Sequence, residues 1–539
     1  MSRASIGAAL LLACWIVPGL FGHDPWKPDE AYSFGVVYEL LQGGSWVVPT
    51  LAGEPFMEKP PAFYLTAAAF ADALRAVLPL HDGARAASAF YVTIASAFVA
   101  CAARAAFGRG AGAVAVALFV GSLGLLLPAH LLVTDLAQLA GTSVALYGLL
   151  LGMRRPRLGG MWVGTGVGLA FMSKGLLMCG ATAIALAVLP LLHEQWRTRA
   201  HVTMMLCALL AALPWLVIWP LLLHFQSPEL FDAWFWDNQV GRFLGTNTLG
   251  PPAKPVHYLI VLPWFTLPAL PLVLYGLIRH RDTLNRNPAF IAAMVVFVIT
   301  LVVLSVSRTA RELYALPLLV PLVIAAVPCL RSLPERAVRV IYALEGVVYT
   351  LLIATVCVFA LALFTGVPAS LHERIAVLRA GYTGGVSAEA IAVATAYALA
   401  WPAAWIALRR HPDRAAYGWA VGLTAAWGVA ASLFIGWVDA GKTYRPVVAA
   451  IAGRVPSDAR CVASVDLGEP QRAMLHYFGG IRTHRVEVDA RALGACDYLL
   501  VQYRNGQALA TPPANWQTIW QGTRAYDHVE RFYLYGKAP

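Results

Sequence analysis

Charge is what this sequence has least of. Asp, Glu, Lys and Arg make up 13% of its 539 residues, while 59% are hydrophobic; soluble domains carry about 25% charged residues. That shortage excludes an ordinary soluble protein. The chain also lacks a P-loop or any other glycine-rich phosphate loop, so nothing in it calls for a nucleotide. There is no low-complexity tract and no solenoid repeat. The net charge of +11 is not gathered in one basic patch, which argues against nucleic acid as a partner. The first apolar run, residues 4–22, lacks a small-residue cleavage site before FGHDPW and so reads as a retained helix, not a secretory signal.

What is present is a succession of apolar segments long enough to cross a hydrocarbon core of roughly 30 Å as helices. They fall at 4–22, 85–107, 110–127, 131–152, 159–172, 174–192, 200–223, 256–278, 288–306, 312–330, 339–364, 389–408 and 414–436. The pattern predicts about thirteen crossings, with 159–172 the shortest. MRRPR, RTR, RHRDTLNR, RSLPERAVR and RRHPDR, with Arg104 and Arg109, all fall on one side. By the positive-inside rule that side is cytoplasmic. The N-terminus is then cytoplasmic and the C-terminal tail lies outside.

The expected fold class is a polytopic α-helical membrane protein over residues 1–439, followed by a small outer α/β domain at 440–539. In that domain RCVASV, CDYLLVQY, WQTIWQG and RFYLYGK read as strands and PQRAMLHYFGG as a helix. The first outer loop, residues 23–84, holds two amphipathic helices, DEAYSFGVVYELLQGG and PPAFYLTAAAFADALRAVL, joined by the extended WVVPTLAGEPF. Both helices are expected to lie in the membrane interface, as is ELFDAWFWDNQVGRFLG in the outer segment 224–255. Six of the eight cysteines sit in predicted spans, where they act as small apolar residues. Cys461 and Cys496 lie in the outer tail, where an oxidising compartment permits a disulfide.

This topology gathers the conspicuous polar residues on the outer face: Asp29 and Glu30, Asp135, Lys174, Arg242, and the SRTARELYALP stretch with Arg308, Arg311 and Tyr314. FMEKPPAFY adds Glu58 and Lys59 beside prolines and aromatics. Charges near membrane depth are costly unless paired or hydrated. Two carboxylates facing several cations point to chemistry on a phosphate. Lys59, Lys174, Arg242 and an arginine at 308 or 311 would stabilise a phosphate leaving group, and a carboxylate would act as general base or orient the attacking oxygen. Each residue also has a plainer reading. Asp29 would cap a helix, Asp135 and Lys174 would form an internal ion pair, and Lys59 would snorkel. Arg308 and Arg311 would be flanking charges, and Tyr314 an aromatic-belt residue. Their shared sidedness is the argument for a site.

In this order, PDEAY, GGSWVVPTLAGEPFMEKPPAFY, TDLA, MSKG and RELYALPLLVP resemble the polyprenyl-phosphate-sugar glycosyltransferases of the GT-C fold. Within them the resemblance is to the lipid A 4-amino-4-deoxy-L-arabinose transferases, which are related to protein O-mannosyltransferases, and it spans about residues 1–440. It implies Asp29 as the catalytic carboxylate and Asp135 as a second functional aspartate. It implies Lys59, Arg242 and Tyr314 as the cradle of the donor-lipid phosphate, with Lys174 near the cavity. Glu30, Tyr32, Glu58, Tyr64, Arg308 and Arg311 complete the expected substrate-binding set.

The reaction implied is transfer of a sugar from a polyprenyl phosphate, first undecaprenyl phosphate, to an envelope acceptor, first lipid A. It would take place at the periplasmic face of a bacterial inner membrane, with no cofactor. Transfer of another sugar to a protein or glycan acceptor is an alternative. A lipid or sugar flippase is a rival from another class, although the chain shows neither the paired repeats nor the midplane charges of transporters. A non-catalytic assembly protein is a third reading. Two departures stand out. The family usually continues its aspartate–glutamate pair with arginine and tyrosine, where this sequence has Tyr32 and Ser33. Family members also bind zinc through a glutamate matching Glu58 and a histidine in the RF segment. DNQVGRF has no histidine, so no metal is assigned, with Glu58 the one matched ligand and His224 or His257 as replacements.

Overall fold

The computed structural model describes residues 3–246, 253–254, 256–379, 381–504, 515–527 and 529–537. Parts of the expected outer segment and C-terminal domain, at 247–252, 255, 505–514, 528 and 538–539, lie outside the described residues. Each expected apolar segment falls on a helix. Among the described residues, seven helices are long and apolar enough to cross a bilayer alone, and up to nine if each of two bent pairs is one crossing. Ala111–Val120 meets Leu123–His130 at 71°, and His257–Phe265 meets Ala269–Arg279 at 97°. The first bend falls at a Gly121–Ser122 pair and the second just before the Ala269 helix, at Pro268, which has no amide to continue the ladder.

The remaining four of the expected segments are short or diluted in apolarity. Arg3–Ile16 and Leu177–Leu192 have 14 and 16 residues. Asp135–Gly152 and Pro156–Lys174 carry glycine and polar residues for a packing reason. A Cβ at Gly166 would come within 2.4 Å of the Ala145 nitrogen, and one at Gly148 within 2.5 Å of the Val163 nitrogen. The two helices therefore touch backbone to backbone, as small residues allow in membrane bundles. Antiparallel and in this register, the first residue of one, Asp135, and the last residue of the other, Lys174, stand at the same end.

The first loop departs from expectation. Asp29–Leu41 and Ala62–Leu74 are helices, and the stretch between them forms a two-residue-per-strand hairpin, β1 (Thr50–Leu51) and β2 (Glu54–Pro55). The Asp29 helix does not lie on lipid, however. Residues Glu30 to Val37 are all buried by protein. Its cover is the helix Glu469–Gly479 of the C-terminal region, which approaches so closely that a Cβ at Gly35 would sit 2.5 Å from that of Ala473. Phe34 and Tyr38 pack on Tyr477 with ring centroids 4.6 and 5.1 Å apart. Around this seam Arg472 pairs with Glu54 at 2.8 Å, and His476 and Arg482 each approach Glu39 at 3.2 Å. The mean apolarity of the helix suited an interface; the interface it meets is another part of the chain. The segment after Pro228 likewise differs from a regular interfacial helix, because Ala233–Gly241 winds as a π-helix.

The C-terminal sheet has five strands: β3 (Val462–Val465), β4 (Thr483–Arg485), β5 (Tyr498–Arg504), β6 (Trp516–Thr523) and β7 (Glu530–Lys537), in the order β4-β3-β5-β7-β6. β3 runs parallel to β4 and β5, while β5, β7 and β6 pair antiparallel. Four of the five lie where alternation predicted. β4, only three residues long, lay below what periodicity resolves. Cys461 and Cys496 form a disulfide at the start of β3 and just before β5.

Candidate active site

Asp29 opens its helix, but its carboxylate does not cap it: the capping position is Pro28, and no side chain bonds the first amides. Instead Arg311 grips both oxygens, Nη1 to Oδ1 at 2.7 Å and Nη2 to Oδ2 at 2.5 Å. One turn on, the Tyr32 hydroxyl donates to Asp29 at 2.6 Å and in turn accepts from Lys59 Nζ at 2.6 Å. A relay Lys59–Tyr32–Asp29 results. Burial alone would raise the Asp29 carboxyl. The charges of Lys59 and Arg311, with the hydrogen bonds from Tyr32 and Arg311, outweigh it and hold the pKa below the ordinary aspartate value. Asp29 is thus an anion at neutral pH, and a weak base.

Asp135 and Lys174 form an ion pair across the glycine seam. Lys174 Nζ also lies 4.0 Å from the centroid of the Tyr314 ring, a cation–π contact. Tyr314 sits within electrostatic reach of Arg242, Lys59, Asp135 and Arg311 together. Both acids and all the expected cations of the phosphate cradle therefore belong to one neighbourhood.

That neighbourhood opens into a cavity of about 410 Å³. Glu58, Lys59, Gln138, Lys174, Arg242 and Tyr314 line it with polar groups. Leu176, Ile184, Val303, Leu304 and Phe243 give it apolar walls as well. Arg242 reaches Glu58 at 3.5 Å, and its Nε is buried without a hydrogen-bond partner among the described residues. Such a donor is costly to leave unpaired unless a ligand takes it.

Several expected residues have other places. Glu30 is buried and turned away from the cavity. It takes Arg85 Nε at 2.5 Å and the amides of Trp26 and Leu132 at 3.0 and 3.2 Å, so it is a structural tie and not a substrate contact. Tyr64 is fully buried, edge-on against Phe56 and Phe63, and does not line the cavity. Arg311 is spent on Asp29, and Arg308 lines a neighbouring cavity instead. Asp29 itself stands behind Tyr32 and Lys59, outside the lining proper. The helix-spaced neighbour of Asp135, Gln138, was legible at i+3 but unmarked by any charge.

The more informative omission is Glu469, the first residue of the C-terminal region's helix. Burial pushes its carboxyl up to about 7, with Glu58 adding to the push and Arg472, Lys59 and Arg242 opposing it. A residue more than 400 positions away in the chain from Glu58 thus faces the same charges. No local pattern signals that. As for a metal, Glu58 is engaged by Arg242, His224 meets Phe231 edge-on, and His257 lines the other cavity. Among the described residues no group of three or more His, Cys, Asp or Glu is placed to hold a metal ion. The donor set at Glu58 does not fit one.

Residues 58–219 match the family model described as dolichyl-phosphate-mannose-protein mannosyltransferase. The chain is 29% identical over 368 residues to the undecaprenyl phosphate-alpha-4-amino-4-deoxy-L-arabinose arabinosyl transferase of Pseudomonas savastanoi pv. phaseolicola, covering 63% of this chain and 64% of that one. It is 27% identical over 385 residues to the enzyme of the same name from Yersinia pestis, covering 65% of each. The chain thus aligns with somewhat under two thirds of the length of these curated relatives. In three dimensions it superposes on ArnT from Cupriavidus metallidurans bound to undecaprenyl phosphate, with a TM-score of 0.71 and 18% identity, over 98% of this chain and 97% of that one. Part of the sequence is thus similar to the polyprenyl-phosphate-sugar transferases, and the fold is that of ArnT.

Proposed function

We propose that this protein is a membrane glycosyltransferase that takes a sugar from undecaprenyl phosphate and delivers it to lipid A. The observation that carries the reading is the shape and chemistry of one cavity. Lys59, Arg242 and Tyr314 share its lining with apolar side chains such as Leu176, Ile184, Val303 and Leu304. A phosphate joined to a polyprenyl chain combines the same two chemistries. The relatives' names and the undecaprenyl phosphate bound to the Cupriavidus structure support the same donor.

In the reaction the bond between the sugar's anomeric carbon and the lipid phosphate oxygen breaks, and a bond from that carbon to an acceptor oxygen forms. Lys59 and Arg242 hold the charge that grows on the departing phosphate, with the Tyr314 hydroxyl as a third donor. Gln138 and Lys174, the latter paired with Asp135, line the cavity where sugar hydroxyls or an amino group would be oriented. Asp29, with its low pKa, suits positioning an acceptor better than deprotonating it. A phosphate acceptor, already ionised at neutral pH, needs no more than that. The site then belongs on the periplasmic face of the inner membrane, with residues 440–539 as a periplasmic domain closing over it through Glu469.

The test is a mass shift. Purified protein in nanodiscs, given an undecaprenyl phosphate sugar and lipid A, should yield lipid A heavier by one sugar residue. Cells carrying Asp29→Asn should show the envelope glycan profile of cells lacking the gene. An unchanged profile in both strains, with no product in vitro, would sink the proposal.

A further inference from the structure

Arg308 is an expected substrate-binding residue and His257 a replacement metal ligand, and neither lines the first cavity. Both line a second one, of about 450 Å³, beside the first. Phe243, Leu244, Leu304 and Ser307 border both cavities and separate them. The second is cationic. Lys254 joins Arg308 and His257 on its wall, with the Ser305 hydroxyl nearby. Among the described residues none of these three basic side chains forms an ion pair. His257 Nε2 is buried and has no hydrogen-bond partner among the described residues.

The enclosure is built and not incidental. The Arg308 amide donates to the Phe243 carbonyl at 3.1 Å, and the Ala253 amide donates to the Arg308 carbonyl at 2.8 Å. These bonds stitch three segments around one space. Gly245, at φ +74°, lets the chain pass against the Arg308 side chain, where a Cβ would meet its Cγ at 2.7 Å. Five residues, Ser307 to Arg311, thereby present one arginine to each side: Arg311 to Asp29, Arg308 to the second cavity.

We propose that Arg308, Lys254 and His257 form a second anion subsite that holds a phosphoryl group of the acceptor while the first cavity holds the donor phosphate. This rests on the transferase reading for its purpose, but the binding claim stands by itself. Guanidinium, ammonium and imidazole around a polar space are the chemistry of phosphate recognition. The cavity shares Phe243, Leu244, Leu304 and Ser307 with the first, a position that suits the partner in the transfer. The shared chemistry admits two sources, the acceptor or an ordinary anionic phospholipid.

The test uses the full chain in phosphatidylcholine nanodiscs and measures binding of fluorescent bis-phosphorylated lipid A, of its dephosphorylated form, and of undecaprenyl phosphate. Arg308→Gln should weaken bis-phosphorylated lipid A about tenfold or more and leave undecaprenyl phosphate within about twofold, the size expected for a lost charged hydrogen bond. The dephosphorylated form should bind the wild type as weakly as bis-phosphorylated lipid A binds the variant. Gly245→Ala, which displaces the guanidinium without removing its charge, should reproduce the loss. Equal binding of both lipid A forms, or no effect of either substitution, would overturn the subsite. So would full competition by nanodiscs made with phosphatidylglycerol, which would assign the cavity to bulk lipid. If wild-type protein binds phosphorylated lipid A through Arg308 yet yields no sugar transfer, the transferase reading fails and the subsite survives.

Discussion

Asp29 and Glu30 are consecutive residues in the first turn of one helix, about 100° apart around its axis. Glu30 points inward. Its side chain is 2% exposed, and Arg85, itself also bonded to Asp82, answers it together with two backbone amides. Asp29 is 14% exposed and meets Arg311, which is 29% exposed. Both are carboxylate–guanidinium pairs of short distance. One is sealed and links the Asp29 helix to the Leu80–Phe107 helix behind it. The other reaches Lys59, which lines the cavity, through the Tyr32 hydroxyl. The difference teaches that burial on all sides, rather than the presence of a partner, separates a structural acid from one left free to act in the proposed transfer.

The comparison can be broken by substitution. Asp29→Asn should lower sugar transfer by a factor of about 10² to 10⁴, the range for a positioned acid or base, with thermal unfolding little changed. Arg85→Met should do the reverse in kind. Leaving Glu30 as an uncompensated buried charge costs about 3–5 kcal/mol, read as a lower unfolding temperature and poor recovery from the membrane. An Arg85→Met protein that is stable but inactive would erase the distinction. Lys59→Met and Arg242→Met should each weaken undecaprenyl phosphate by about tenfold, corresponding to about 1.5 kcal/mol for a charged hydrogen bond, without equal loss of turnover at saturation.

The smallest effects concern pH. Asp29, with its pKa lowered in the folded state, contributes stability that is complete above the unfolded value of about 3.9 and is lost as pH falls through the lowered one. Glu469 has the opposite sign. Its contribution is complete below the unfolded glutamate value of about 4.3 and drains as pH rises through about 7, because the native site holds the proton that the unfolded chain releases. Glu469→Gln should therefore flatten the decline of thermal stability over that window. It should also flatten any loss of undecaprenyl phosphate affinity there, since an ionised Glu469 competes with the phosphate for Lys59 and Arg242.

The apolar runs by themselves determined the helices, because segments of that length and composition have no better place than a bilayer or a helical bundle. Alternation found four of the five C-terminal strands, and order along the chain brought Asp29, Lys59, Asp135, Lys174, Arg242 and Tyr314 to one end of the bundle. Only tertiary structure decided which of them touch. It turned Glu30 and Tyr64 into packing, moved Arg308 to a second cavity, and committed Arg311 to Asp29. It laid the Glu469 helix over a face that composition would have given to lipid. Periodicity records how greasy a face is. It does not record what covers that face, and contacts between residues hundreds of positions apart leave no local trace.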